Sequence, residues 1–260
     1  MSGEVAMTVA QSPPARGVRG RLLDRMFVRG RVEDVRPAPG PMRWIGIGGV
    51  PGLDWTPGQH VRVHTADITS ARTWVSGKVR DALRTYSVWD YDAASGVLEL
   101  CVMDHEGAGP GARWARSARP GDEVVFNKPE GSFVLRPAPY HLFAGEETAS
   151  VTFGAMLRAV RPDEPVYGAV EVAEPEDGLP LPRRGELMWC RRGDASAASS
   201  EILVDAVRRL DLPGEPGFAY VAGEARTVQA VRAHLVRERG WPRRSVQVKP
   251  YWTPGRRGMD

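Results

Sequence analysis

The chain has 260 residues, a length that fits one large domain or two of ordinary size, and 42% hydrophobic residues suffice for a sizeable buried core. Its 35 basic and 32 acidic residues leave a formal charge of +3, too balanced for a nucleic-acid binder of the usual kind, so no nucleic-acid partner is expected. No apolar run approaches the ~20 residues a membrane-spanning helix needs, and residues 1–20, rich in Ser, Pro, Gly and Arg, read as a flexible tail without a signal-type stretch.

From 21 to 136 the pattern is all-β. Runs over 26–35, 43–47, 59–64, 83–89, 97–103 and 123–127 are short and separated by Gly and Pro, and six such strands predict a small closed barrel. The cluster Gly46-Ile47-Gly48-Gly49-Val50-Pro51-Gly52 imitates a dinucleotide fingerprint, but Pro51 and Pro57 oppose the helix that fingerprint requires, so a hairpin connection is expected. His60 and His64, four apart on a predicted strand, share a face at too wide a spacing for routine chelation, and no metal site is expected. The strand at 83–89 carries Arg84-Thr85-Tyr86-Ser87. That set can offer a guanidinium to a diphosphate, an aromatic face to an isoalloxazine and a hydroxyl to a ring nitrogen. Downstream, Gly107-Ala108-Gly109-Pro110-Gly111-Ala112 lets backbone amides approach a diphosphate, and a helix starting near Ala112 would aim its positive end at the same charge; a plain flexible connection is the alternative.

Arg136-Pro137-Ala138-Pro139 forms the expected hinge, and from 137 to 260 strands alternate with helices. Apolar runs at 141–144, 166–172, 187–191, 218–222 and 246–248 enclose helical patterns such as Val151, Ala155, Ala159 and Ile202, Leu203, Ala206, Leu210, which predicts a parallel sheet flanked by helices. One helix begins near Glu224, carries Val228, Val231 and Leu235 on one side, and stops at Gly240 with Pro242 beyond. Thr148 and the surrounding Gly145-Glu146-Glu147 stand where the first strand hands over to its helix, either as ligand contacts or with Thr148 as N-cap and the glutamates in the first turn. Arg192-Gly193-Asp194 reads as a turn after a strand. Cys101 and Cys190 lie far apart in apolar runs and read as core thiols, consistent with a cytoplasmic chain.

A barrel followed by an α/β layer, with a flavin-type tetrad late in the barrel, is a ferredoxin-NADP reductase-like two-domain order. In detail the chain resembles the siderophore-interacting protein family, the FAD-dependent ferric-siderophore reductases. The resemblance runs from about Arg31 to Gly258 through Pro57-Gly58-Gln59-His60, Arg84 to Ser87, His105, Gly109-Pro110, Trp114-Ala115 and Pro120-Gly121-Asp122. It continues through Ala144 to Ala149, Glu171 with Asp177, Trp189 to Gly193, Val221 to Glu224 and Tyr251-Trp252. It implies a Greek-key FAD-binding barrel over 21–136 and a nicotinamide-nucleotide-binding-like domain over 137–260. It implies FAD contacts from Arg84, Thr85, Tyr86, Ser87, His105, Gly109, Pro110, Ala112, Trp114, Glu146, Thr148, Tyr251 and Trp252. It further implies NAD(P)H as electron donor, an anionic ferric chelate as small-molecule substrate met by Lys128, Lys249, Arg256 and Arg257, and no protein acid or base in catalysis.

Three departures from the family pattern stand out. Glu106 replaces a usual glycine, Ser150-Val151-Thr152-Phe153 replaces a Leu-Pro-Ala-Ile type of run, and Lys249-Pro250 replaces a small pair before Tyr251. They leave open a repurposed flavoprotein acting on a small organic metabolite, or a cofactor-free binding module using the same cleft.

Overall fold

The computed structural model describes residues 27–65, 83–104 and 109–256. Six antiparallel strands, β1 (Phe27–Pro37), β2 (Met42–Gly48), β3 (His60–His64), β4 (Leu83–Asp92), β5 (Val97–Met103) and β6 (Glu123–Asn127), close a barrel in the order β1-β2-β5-β4-β3-β6. Pairing of β1 with β6 completes the closure and removes the free edges an open sheet would leave. Strand alternation fills the interior: Leu98, Leu100 and Val102 of β5 point inward with Ile45, Ile47 and Phe126, while Cys101 points outward. Helix α1 (Pro110–Ser117) follows β5 and sets Ala115 into the same core.

The second half is a parallel sheet of β7 (His141–Glu146), β8 (Val166–Val172), β9 (Met188–Arg191), β10 (Phe218–Glu224) and β11 (Val246–Trp252), in the order β11-β10-β7-β8-β9. Helices α2 (Glu147–Ala159), α3 (Glu201–Arg209) and α4 (Ala225–Ala233) provide the crossovers. Every residue of β7 is buried, as a strand covered on both faces requires. Strand order reverses between β7 and β10, and the crevice beyond their carboxyl ends is the usual ligand position in such sheets.

Barrel and sheet share a hydrophobic core. The outward barrel residues Met42, Trp44, Trp89 and Cys101 cluster with Phe143, Phe153 and Met156. Trp44 and Trp89 meet edge to face at 4.9 Å. Gly154 of α2 lies so close to the Trp89 ring that a Cβ would not fit, and Arg158 sits 4.5 Å above the same ring. Helix α2 is therefore the element that docks the layer onto β4.

The expected strands are present, several with ends moved by up to three residues, as where the strand expected at 83–89 runs to Asp92, and two larger differences stand out. The glycine cluster is not a hairpin: Gly46 and Gly48 lie within β2, and β2 pairs with β1 and β5 but not with β3. The turn through Gly49 and Gly52, both at positive φ, instead starts a crossing over the barrel end. Strand β11, expected to stop at Val248, continues through Pro250 to Trp252, because β11 is an edge strand where proline withdraws no essential ladder donor. Cys101 and Cys190 are buried free thiols. Among the described residues no helix is long and apolar enough to cross a membrane.

Candidate functional site

Two groups of side chains flank β4. Arg84 and Tyr86 share one face of the strand; Thr85 and Ser87 share the other, with Thr85 exposed. The Tyr86 ring packs against Trp114 of α1, centroids 5.4 Å apart. Its hydroxyl is buried without a hydrogen-bond partner, and burial pushes its pKa well above the usual phenol value despite Arg84 nearby. That hydroxyl faces the first turn of α1, where a Cβ on Gly111 would lie 2.6 Å from Tyr86 Oη and 3.2 Å from Arg84 Cγ. The Arg84 guanidinium donates to the Leu83 carbonyl at 2.5 Å.

Helix α1 begins with Pro110 after Gly109 at φ −61° and ψ 145°, and among the described residues no side chain caps it. Its first amides are thus left without intrahelical acceptors. The Arg84 side chain, the orphaned hydroxyl and the first amides of α1 meet at Gly111, a set suited to a diphosphate. Gly109, Pro110, the buried Ala112 and Trp114 all belong to this corner. His105 lies outside the described residues, as does Glu106.

On the opposite face, Ser87 Oγ meets two other hydroxyls. Thr152 Oγ1 of α2 lies 2.7 Å from it, Tyr251 Oη of β11 lies 3.3 Å from it, and Thr152 and Tyr251 are 2.6 Å apart. The adjoining Trp252 donates from Nε1 to Glu146 Oε1 at 2.9 Å, while the Thr148 amide and hydroxyl donate to the same carboxylate. Burial pushes the Glu146 pKa up against the pull of those hydrogen bonds. The cap of α2 is thus Glu146 and not Thr148, which lies inside the first turn and donates to it, and Glu146, Thr148 and Trp252 are engaged with one another at the strand-order reversal.

The other helix starts of the sheet are closed in the same way. Glu224 accepts from the Ser199, Arg226 and Thr227 amides at 2.9 to 3.0 Å and so caps α4. Burial raises its pKa, but these hydrogen bonds outweigh that and leave it below the usual carboxylate value. Ser200 caps α3 and donates to Glu171, and Arg192 pairs with Glu147 at 2.7 Å.

Of the expected substrate cations, Lys128 and Arg256 are exposed, and Arg257 lies outside the described residues. Lys249 instead turns inward: its Nζ is 3.0 Å from His60 Nδ1 and 5.6 Å from the centre of the Tyr251 ring. Burial pulls Lys249 down to about 8. His60, directly across from Ser87 in the β3–β4 ladder, is pulled down to about 4 by burial, then by Lys249 and Arg62. Arg62 pairs with Glu130 at 2.9 Å on the same side. Sequence reading missed Thr152, Arg62 and Glu130 as neighbours of this site and left His60 as structural. Thr152 is one of several polar residues in α2, and its place in the departing run 150–153 is the signal the sequence carries for it. A cavity of about 350 Å³ at the β1–β2 turn, lined by Arg36, Arg43 and Asp104 among others, includes none of Arg84, Tyr86 or Ser87.

Comparison with known proteins gives consistent matches. A family profile described as siderophore-interacting FAD-binding domain matches residues 55–133, and one described as siderophore-interacting protein matches 138–255. An uncharacterized protein of Mycobacterium tuberculosis (strain ATCC 25618 / H37Rv) is 31% identical over 190 residues, covering 68% of this chain and 67% of that protein. Ferric vibriobactin reductase ViuB of Vibrio cholerae serotype O1 is 30% identical over 178 residues, covering 66% of this chain and 65% of ViuB. A siderophore utilization protein from T. fusca has a crystal structure that superposes with a TM-score of 0.74 at 24% identity, over 90% of this chain and 95% of that one.

Proposed function

The chain belongs to the siderophore-interacting protein family, and from that premise we propose an FAD-dependent reductase that passes electrons from NAD(P)H to a ferric siderophore complex and so frees its iron. The observation that carries the reading is the orphaned Tyr86 hydroxyl beside Arg84 and the uncapped start of α1. When bound, FAD supplies the conversion between a two-electron hydride donor and an acceptor that takes electrons singly.

The chain's own residues hold and orient. Arg84, Gly109, Pro110, Gly111 and Ala112 receive the diphosphate, Tyr86 gains a hydrogen-bond partner, and Ser87 presents its hydroxyl to the flavin edge. Tyr251 and Trp252 close the cleft from β11. Lys128, Lys249, Arg256 and Arg257, together with Arg62, draw an anionic ferric chelate toward that edge. Ferric iron prefers oxygen ligands as the harder cation, so reduction loosens the chelate without a protein acid or base. The division at residues 136 and 137, with His105 in the flavin set and a reducing cytoplasm suited to two free thiols, belongs to the same proposal.

A second reading concerns the donor. Glu146 and Glu224 place carboxylates at the starts of α2 and α4, where a nicotinamide dinucleotide would otherwise set its diphosphate, and this favours a flavoprotein reduced by another route. The test is an anaerobic titration of the FAD-loaded, desalted protein. Bleaching by NAD(P)H and recovery on adding a ferric chelate support the reductase. Recovery after chemical reduction, without bleaching by NAD(P)H, selects the second reading, and failure to retain FAD contradicts both.

A further inference from the structure

Thr152 is fully buried on α2, and it joins three segments that are remote in sequence. Its two short contacts, 2.7 Å to Ser87 and 2.6 Å to Tyr251, meet at one hydroxyl; the third edge, Ser87 to Tyr251, is long at 3.3 Å. A threonine hydroxyl has one proton, so it can donate to only one of its two close partners and must accept from the other. The phenol is the stronger donor of the three, which makes Tyr251 donate to Thr152 and Thr152 donate to Ser87. Burial raises the Tyr251 pKa, and the Glu146 carboxylate nearby adds to the rise, so the phenol keeps its proton. The Ser87 proton is then left with the long edge alone. That is the weakest bond in the triangle and the one an incoming acceptor can replace.

We propose that Thr152 is a positioning residue that aims the Ser87 hydroxyl as a donor at an acceptor on the edge of the bound flavin. The inference rests on the FAD reading above and deepens it, because this residue stands in the run where the chain departs from its family's usual pattern. The same ordering ties the barrel, α2 and β11 together at one point, so the donor's direction depends on the docking of all three. When the ligand atom becomes a donor on reduction, the chain of hydroxyls can reverse, since each member is both donor and acceptor. The relative affinity for oxidised and reduced FAD is therefore the quantity Thr152 controls.

The test compares Thr152→Val, which keeps the shape and removes the hydroxyl, with Thr152→Ser, which restores it. In Thr152→Val the ratio of affinities for oxidised and reduced FAD changes about 5-fold, the equivalent of one ordinary hydrogen bond, and the visible flavin band moves. Thr152→Ser returns both toward wild type. An unchanged ratio and band in Thr152→Val, with Ser87→Ala altering both, would overturn the proposal. A second readout needs no flavin: a slowly exchanging Tyr251 hydroxyl proton, seen by NMR in the wild type and Thr152→Ser, is lost in Thr152→Val. Its persistence in Thr152→Val overturns the donor order. Failure of the wild type to bind FAD, with that resonance behaving as expected, overturns the flavin reading and the ligand half of this inference while leaving the hydroxyl order standing.

Discussion

The start of α1 in the barrel half and the starts of α2, α3 and α4 in the sheet half meet the same physical requirement in opposite ways. A helix begins with amides that lack acceptors inside the helix. In the sheet half the chain supplies them internally, from Glu146, Ser200 and Glu224. At α1 none comes from the described residues, and the Arg84 side chain and the Tyr86 hydroxyl lie beside that start instead. A site completed by its own carboxylate contributes stability and repels an anionic ligand; one left open gives up that stability and can take the ligand. The contrast supports the proposed diphosphate site in the barrel and leaves the sheet's crevice the less welcoming of the two to an anion.

Removing an internal cap breaks the comparison most forcefully. Glu224→Ala strands the Ser199, Arg226 and Thr227 amides in a buried setting, and we expect a loss of about 3 kcal/mol in urea unfolding. A loss below about 0.5 kcal/mol would mean that water replaces the carboxylate without cost. The interface between the halves offers a smaller effect with a definite pH signature. Lys249 releases its proton at about 8 in the folded chain and near 10.5 when unfolded. Between those values the unfolded chain holds more protons, so stability rises as pH increases across that window. Lys249→Met should abolish a rise of about 2 kcal/mol, after allowance for partial exposure; thermal melts of both proteins across the window would expose a persisting rise. The smallest effect concerns the donor. Glu224→Gln keeps an acceptor and removes the charge, and steady-state assays should show the KM for NAD(P)H falling about 2-fold, the size of one terminal charge effect on a helix. An unchanged KM would place the nucleotide elsewhere.

Much of this architecture is legible in the chain because its signals are local. Val97–Met103, Glu123–Asn127 and Val166–Val172 are strands with the expected bounds, since each is a short apolar run closed by Gly, Pro or charged residues. The α4 region, too, stops where Gly240 and Pro242 require, although its last turn, His234–Glu238, widens into a π-helix that periodicity does not reveal. The glycine cluster misled because a hairpin and a crossing over a barrel end use the same turn residues; which strand becomes the neighbour is decided by the remote pairing of β2 with β5. Within the site, Arg84, Thr85, Tyr86 and Ser87 are legible as a tetrad on one strand. Thr152 is not, because its meaning comes from residues 65 and 99 positions away in sequence. Lys249 was recognised as a cation but not as a buried one, for its partner His60 is 189 positions distant.

The most direct test of the central claim is to give α1 the cap it lacks. Gly109 has an extended conformation compatible with any residue before proline, so Gly109→Asp can supply the carboxylate that Glu224 supplies to α4. Equilibrium titration of this variant with FAD, alongside its thermal unfolding without FAD, is the measurement. The account predicts FAD affinity reduced about 10-fold or more with the unliganded melting temperature unchanged or higher; undiminished FAD binding would contradict it and move the diphosphate away from α1.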